Sequence, residues 1–138
     1  MVFNQFDQKK PVFVKNFSVI KEVCFNRKCF EVEVVESLTD KAKGLMERDS
    51  LDENSGMLFI YDQEKIISIW MKKMKFPIDI IWLNKNREVV FLVENAQPCF
   101  TDSCESFKSD EKAQYVLELN SGQIQENSVQ LGNQVEFK

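Results

Sequence analysis

This chain of 138 residues has four cysteines and no histidine, and these two features limit the chemistry that its side chains can perform. The cysteines form two local pairs, Cys24 with Cys29 and Cys99 with Cys104, and four residues separate the members of each pair. Two short-loop disulfides fit this spacing and would indicate an oxidising compartment. The first would lie across the neck of a hairpin, because strand-like runs flank residues 25–28.

Other states of the cysteines stay open at this point. A four-thiolate zinc site tolerates short spacings within each pair, and a redox dithiol or unpaired buried thiols are further options. Zinc knuckles and redox dithiols usually have the tighter C-x-x-C spacing, so the sequence favours disulfides, although four cysteines allow three connectivities. We expect no metal and no cofactor.

Carboxylates are the main candidates for acid–base chemistry in this chain. Without histidine, no Ser-His-Asp or Cys-His arrangement can form from its own residues. Asp79 begins a long apolar run, and Glu33 and Glu118 lie in strand-like segments. Two of the three would suit glycoside hydrolysis if the fold placed them about 5 Å or about 6.5–9.5 Å apart. The simpler expectation for Asp79 is a structural acceptor for backbone amides, or an ion-pair partner of Lys72.

Trp70, Lys72, Asp79 and Arg48 are the candidates for ligand binding. An exposed tryptophan near carboxylates suits stacking on a sugar ring, whereas a buried one would belong to the core or line a cleft. The methionines fit core packing better than metal binding. No glycine belongs to a phosphate-binding pattern.

The composition argues against several classes of protein. The net charge of −4, without a long basic cluster, argues against a nucleic-acid partner. Every uninterrupted apolar run is far shorter than the ~20 residues that a membrane span needs. The first ten residues lack the pattern of a signal peptide. We therefore expect either a cytoplasmic protein or one whose export segment lies outside this sequence.

Short strand-like runs separated by turns must position these residues. Residues 30–36 alternate apolar and acidic side chains, as a half-buried strand does. Further strands are expected at residues 57–61, 66–71, 78–83, 88–93, 115–119 and 134–137, with a hairpin turn at 84–87. Ser37 or Thr39 can cap a short helix that ends near Gly44.

This pattern predicts a mainly β fold. We expect a compact antiparallel barrel or sandwich of seven to eight short strands with one or two short helices. Residues 21–138 would form a single β-rich domain. Residues 1–20 would be an N-terminal extension that could include a first strand.

Eight motifs follow one another in a recognisable order along the chain. They are Phe30-x-Val32-Glu33-Val34, Gly44-Leu45-Met46-x-Arg48, Gly56-Met57-Leu58-Phe59, Trp70-Met71-Lys72, Pro77-Ile78-Asp79-Ile80, Val89-Val90, Pro98-Cys99 and Tyr115-Val116-Leu117-Glu118-Leu119-Asn120-x-Gly122. The series resembles the uncharacterised prokaryotic family known as domain of unknown function 192. One departure is clear, because the family usually has Asn-Thr where this chain has Lys73-Met74.

The resemblance covers the chain from about Cys24 to Phe137 and implies a compact β-rich domain. In the family, a signal peptide or membrane anchor often precedes this domain, and members similar to this chain carry similar cysteine pairs. The resemblance thus supports disulfides and export, and it implies no particular reaction.

Two functions from different classes follow from these observations. The first is a non-catalytic exported or envelope-associated domain that binds an unidentified ligand or envelope partner and is a monomer. The alternative is a carboxylate-based hydrolase that acts on polysaccharide or another extracellular polymer, with Asp79 and either Glu33 or Glu118 as its acids. The expected location is extracytoplasmic, with the cytoplasm as the alternative. Nucleic acid is not an expected partner, and the chain itself should not span a membrane.

Overall fold

Nine strands and two short helices make up the part of the computed structural model that is described, residues 19–138. The strands are β1 (Glu22–Phe25), β2 (Lys28–Val35), β3 (Ser55–Lys65), β4 (Ser68–Trp70), β5 (Ile78–Leu83), β6 (Val89–Ala96), β7 (Ser106–Lys108), β8 (Ala113–Asn120) and β9 (Glu136–Phe137). The helices are α1 (Leu38–Lys43) and α2 (Gln123–Glu126). The predicted mainly β architecture with short helices is confirmed. Of the predicted N-terminal extension, residues 1–18 lie outside the described residues.

Seven of the strands form one curled sheet in the order β6-β5-β8-β3-β2-β1-β9. Its two edges approach each other, because Glu88 forms an isolated bridge with Gln134 and the amide of Val135 donates to the carbonyl of Arg87 at 2.9 Å. The sheet is therefore a half-barrel with linked edges. Strands β4 and β7 form a separate two-stranded sheet.

One pair in the large sheet departs from the predicted antiparallel pattern. Strands β2 and β3 run parallel, with Glu33 opposite Met57. Parallel neighbours need a long crossover connection, and residues 36–54, which include α1, provide it. This crossover lies over one face of the sheet and forms part of the candidate site described below.

The sheet is covered on both faces, and this explains why β5 is buried along its whole length. One face carries a core that includes Met57, Phe59, Ile80 and Trp82. The opposite face carries a core that includes Leu58, Ile81, Leu83 and Leu117. Successive residues of a strand point to opposite faces. We call the first the α1 face and the second the α2 face, after the helices that lie over them.

The cysteines lie in the two pairs that the spacing predicts. Cys24 and Cys29 are direct partners across the β1–β2 hairpin, with their Sγ atoms 2.06 Å apart. The Sγ atoms of Cys99 and Cys104 are 2.13 Å apart. Within residues 19–138, the four sulfur atoms are not close enough together to form a single four-thiolate zinc site. Neither helix of this part has the length and apolar character needed to cross a membrane.

Candidate functional site

A cavity of about 270 Å3 lies on the α1 face of the sheet. Its walls come from α1 and the loop after it, from β3 and β4, and from the turn that follows β4. Most of the lining is apolar and includes Leu45, Met46, Phe59, Ile69, Trp70, Met71, Met74 and Ile78. This arrangement resembles small-molecule sites in general, which are concave and mostly apolar with few polar groups.

Glu118 is the only acidic side chain among the described residues that line this cavity. It lies in the middle of β8, only 5% exposed, between Met57 on β3 and Ile80 on β5. Burial raises the pKa of its carboxyl group from 4.5 to about 8. The group is therefore largely protonated at neutral pH.

The carboxyl group of Glu118 makes no side-chain hydrogen bond within residues 19–138. Because no fully buried side-chain oxygen or nitrogen of these residues lacks a partner, its oxygens must be open to the cavity that it lines. A neutral carboxylic acid has one O–H donor and acceptor oxygens to offer. Because Glu118 lines the cavity, its carboxyl group can form hydrogen bonds with a ligand bound there. The arrangement can hold a polar atom at the inner end of an otherwise apolar ligand.

The wall opposite the sheet depends on a tight helix end. The side chain of Ser37 caps α1 by accepting the amide of Asp40 at 3.1 Å. Gly44 ends the helix with a φ of 47°, and a Cβ atom there would lie 3.2 Å from the ring of Phe59. Because glycine permits both the positive φ and this close approach, the loop can place Leu45 and Met46 against the cavity.

Aromatic rings and lysines form the mouth of the cavity. Trp70 is 47% exposed, and the Nζ atom of Lys72 lies 5.2 Å from its ring centroid. The Nζ atoms of Lys41 and Lys65 lie 4.0 and 4.8 Å from the ring of Tyr61. Burial lowers the pKa of Lys41. The pKa of Tyr61 is raised, mainly by burial and to a smaller extent by the charge of the nearby Glu118.

Asp79 lies on the α2 face and has a different environment. One carboxylate oxygen accepts the amide of Asn95 at 2.8 Å. The other accepts the amides of Gly122 and Ile124 at 3.1 and 2.8 Å. Three backbone donors thus bind this carboxylate to β6 and to the start of α2. Its contacts are those of the structural acceptor that was the simpler expectation, and none of them is to Lys72.

Glu33 lies on the α1 face, on the far side of Met57 from Glu118. It is exposed and forms a two-point ion pair with Arg48, at 2.9 and 3.0 Å. The hydrogen bond from Arg48 holds the pKa of Glu33 below its usual value. Both residues line a shallow groove of about 660 Å3 rather than the Glu118 cavity.

The structure therefore separates the candidate residues into three places. It brings Trp70 to the same cavity as Glu118, with Lys72 beside Trp70. It leaves Arg48 with Glu33 in the groove, and Asp79 on the opposite face. No two of the three candidate carboxylates share a cavity in the described part of the chain.

Sequence reasoning missed several residues of the site, above all Lys41 and Tyr61. A usable signal was present, because eight of the lining residues belong to the eight ordered motifs of the sequence. They are Gly44, Leu45, Met46, Phe59, Trp70, Met71, Ile78 and Glu118. Motifs that are distant along the chain converge on one cavity.

Two solved structures are similar to this one. A protein of unknown function from Novosphingobium aromaticivorans has a TM-score of 0.78 and 27% identity over 85% of this chain and 84% of its own. A protein from Sinorhizobium meliloti, described as a candidate transcription regulator, has a TM-score of 0.75 and 26% identity over 84% and 90%. No curated protein matches the chain. The model of the family DUF192, described as uncharacterized ACR, matches residues 21–137, and the chain therefore belongs to this family.

Proposed function

We propose that this chain is a binding domain that works outside the cytoplasm and takes the apolar part of a ligand into the Glu118 cavity. The observation that carries this proposal is the carboxyl group of Glu118, which lines a mostly apolar cavity and makes no side-chain hydrogen bond within residues 19–138. Burial raises the pKa of this carboxyl group to about 8, and ionisable groups with such shifted pKa values in clefts are frequent at functional sites. A ligand with a polar atom at its inner end would provide the missing partner.

The mouth of the cavity supports the same proposal. Leu38 is 82% exposed and Trp70 is 47% exposed, and both line the cavity. Exposed apolar side chains at the rim of a concave site are a common mark of ligand binding. The cavity volume lies near the lower end of the roughly 300–1,000 Å3 found for small-molecule sites, which favours a small ligand.

Binding fits this site better than polysaccharide hydrolysis. Hydrolysis of a glycosidic bond generally needs two carboxyl groups on either side of that bond. Glu118 is the one acidic residue of the cavity lining in residues 19–138. Glu33 is held by Arg48 in the neighbouring groove, and Asp79 is on the other face of the sheet.

The cysteine pairs support a location outside the cytoplasm, because disulfides persist in oxidising compartments. The intact mass of the protein, purified from its native compartment under thiol-blocking conditions, tests this. Two disulfides predict that reduction adds the mass of four hydrogen atoms. Four thiols already blocked before reduction would contradict the proposed location.

Binding can be tested with the neutral fluorescent probe N-phenyl-1-naphthylamine. We expect the full chain to bind one probe molecule, and Leu38→Asp to weaken that binding severalfold by placing a charge at the mouth. Leu131→Asp is the matched control, since Leu131 is also exposed, at 64%, and does not line the cavity. Equal effects of the two substitutions, or no saturable binding by the wild type, would contradict the proposal.

A further inference from the structure

The charges around the cavity mouth differ from those of the chain as a whole. The chain has a net charge of −4. Two lysines line the cavity and two more lie over aromatic rings that line it; they are Lys41, Lys43, Lys65 and Lys72. In the described residues, none of the four is within 4.0 Å of a carboxylate, because the two ion pairs there involve Arg48 and Lys75.

Apart from Glu118, no acidic side chain of residues 19–138 lines the cavity, whereas Lys41 and Lys43 do. The charges of Glu36 and Asp62 act on Lys41, and the charges of Asp40 and Lys43 both act on Glu33. All four acids are exposed and none of them lines the cavity, so a ligand inside it meets Lys41 and Lys43 before it meets these acids. Inside the cavity, Glu118 is largely neutral and does not oppose a negative ligand.

From this arrangement, and resting on the proposed function, we propose that the ligand is a small anionic amphiphile. Its mainly apolar body occupies the cavity with a neutral polar atom at the inner end beside Glu118, and its single negative group stays at the mouth beside Lys41 and Lys43. The cavity matches one short chain or ring system rather than a two-chain lipid, given its volume of about 270 Å3. Three methionines in the wall, Met46, Met71 and Met74, adapt readily to apolar groups of different shape.

A series of eight-carbon ligands with one apolar body tests this proposal on the full chain. Sodium octanoate, 1-octanol and octylammonium chloride are titrated at neutral pH in competition with N-phenyl-1-naphthylamine. We expect octanoate to bind roughly tenfold more tightly than 1-octanol, and octylammonium to bind most weakly. Raising the salt concentration should weaken octanoate binding and leave 1-octanol binding unchanged.

A double substitution identifies the positive groups responsible. Lys41→Gln/Lys43→Gln should lower octanoate affinity to the level of 1-octanol, with no change for 1-octanol itself. Lys21→Gln/Lys138→Gln is the control with the same change in net charge, and neither of its residues lines the cavity. Thermal unfolding of both variants checks that each one is folded.

The possible outcomes separate this inference from the proposed function. If 1-octanol binds as tightly as octanoate, the anionic ligand is wrong and the binding cavity stands. If octylammonium binds most tightly, the ligand is a cation that pairs with Glu118, and the inference is again wrong. If none of the three displaces the probe and the probe itself does not bind, both proposals fail.

Discussion

Asp79 and Glu118 are buried carboxyl groups on adjacent strands of one sheet, and their surroundings are opposite. Asp79 accepts hydrogen bonds from three backbone amides and joins β5 to β6 and α2. Glu118 has no such partner in the described residues and borders a cavity. Burial is common to both, so burial alone does not identify a functional acid. The absence of a structural partner is the feature that separates Glu118 from Asp79.

The two faces of the sheet show the same contrast on a larger scale. On the α2 face, a carboxylate closes the gap between the sheet and the helix through backbone hydrogen bonds. On the α1 face, side chains of the crossover pack over the sheet and leave a cavity. We infer that the α2 face mainly stabilises the fold, whereas the α1 face is less stabilising because it contains the Glu118 cavity.

The largest expected effect is the loss of the Asp79 contacts. Asp79→Asn replaces one acceptor oxygen by an NH2 group that faces backbone N–H donors. We expect the free energy of unfolding to fall by about 4 kcal/mol. Glu118→Gln is the matched change from carboxyl to amide, and it should not lower stability at neutral pH. Urea unfolding of both variants makes the comparison, and equal losses would remove the distinction between the two acids.

The pH dependence of stability gives the next largest effect. The pKa of Glu118 is 4.5 without burial and about 8 in the fold, so the folded state holds an extra proton between these values. The contribution of Glu118 to the free energy of unfolding should therefore be greatest at low pH and fall as the pH rises towards 8. Between about pH 5 and about pH 8, we expect the wild type to lose about 3 kcal/mol more than Glu118→Gln. Parallel curves for the two proteins would show that Glu118 ionises normally.

Local patterns were sufficient to predict much of the fold. The alternation of residues 30–36 predicts β2, and the turn after β5 is present, with the side chain of Asn84 accepting the amides of Asn86 and Glu88. The parallel pairing of β2 with β3 was not predictable in this way. Alternation identifies a strand and its faces, and it does not identify the neighbouring strand.

Strand register explains why the sequence identified the candidate acids but did not predict that Asp79 and Glu118 lie on opposite faces of the sheet. In the β5–β8 pair, Ile80 lies opposite Glu118 and Asp79 lies opposite Leu119. An offset of one residue reverses the face of a side chain, so Asp79 and Glu118 point to opposite sides. No local pattern contains that offset. Lys41 and Tyr61 were missed for a related reason, since only the crossover brings them together.

The ion pair between Glu33 and Arg48 should have a smaller effect than either buried acid. Both side chains are largely in contact with solvent, with 57% and 38% exposed. Exposed pairs typically contribute less than about 1 kcal/mol. A double-mutant cycle with Glu33→Ala and Arg48→Ala should give a coupling energy below this value. Because the pKa of Glu33 is lowered, the coupling should be present at neutral pH and disappear in acid. A coupling energy of several kcal/mol would contradict this expectation, because the pair would then contribute about as much to stability as Asp79 does.

Lys73 tests whether the turn in the cavity wall belongs to the fold or to the site. It lies between Met71 and Met74 with a φ of 59°. Asparagine adopts this left-handed conformation more easily than lysine, so Lys73→Asn should raise stability by about 0.5 kcal/mol. Lys21→Asn, at an exposed position without a positive φ, is the control for the change in charge. Higher stability with unchanged affinity for N-phenyl-1-naphthylamine would group this turn with Asp79, as part of the scaffold. Lower affinity would mean that the strained turn holds the cavity in its binding shape, and would group it with Glu118.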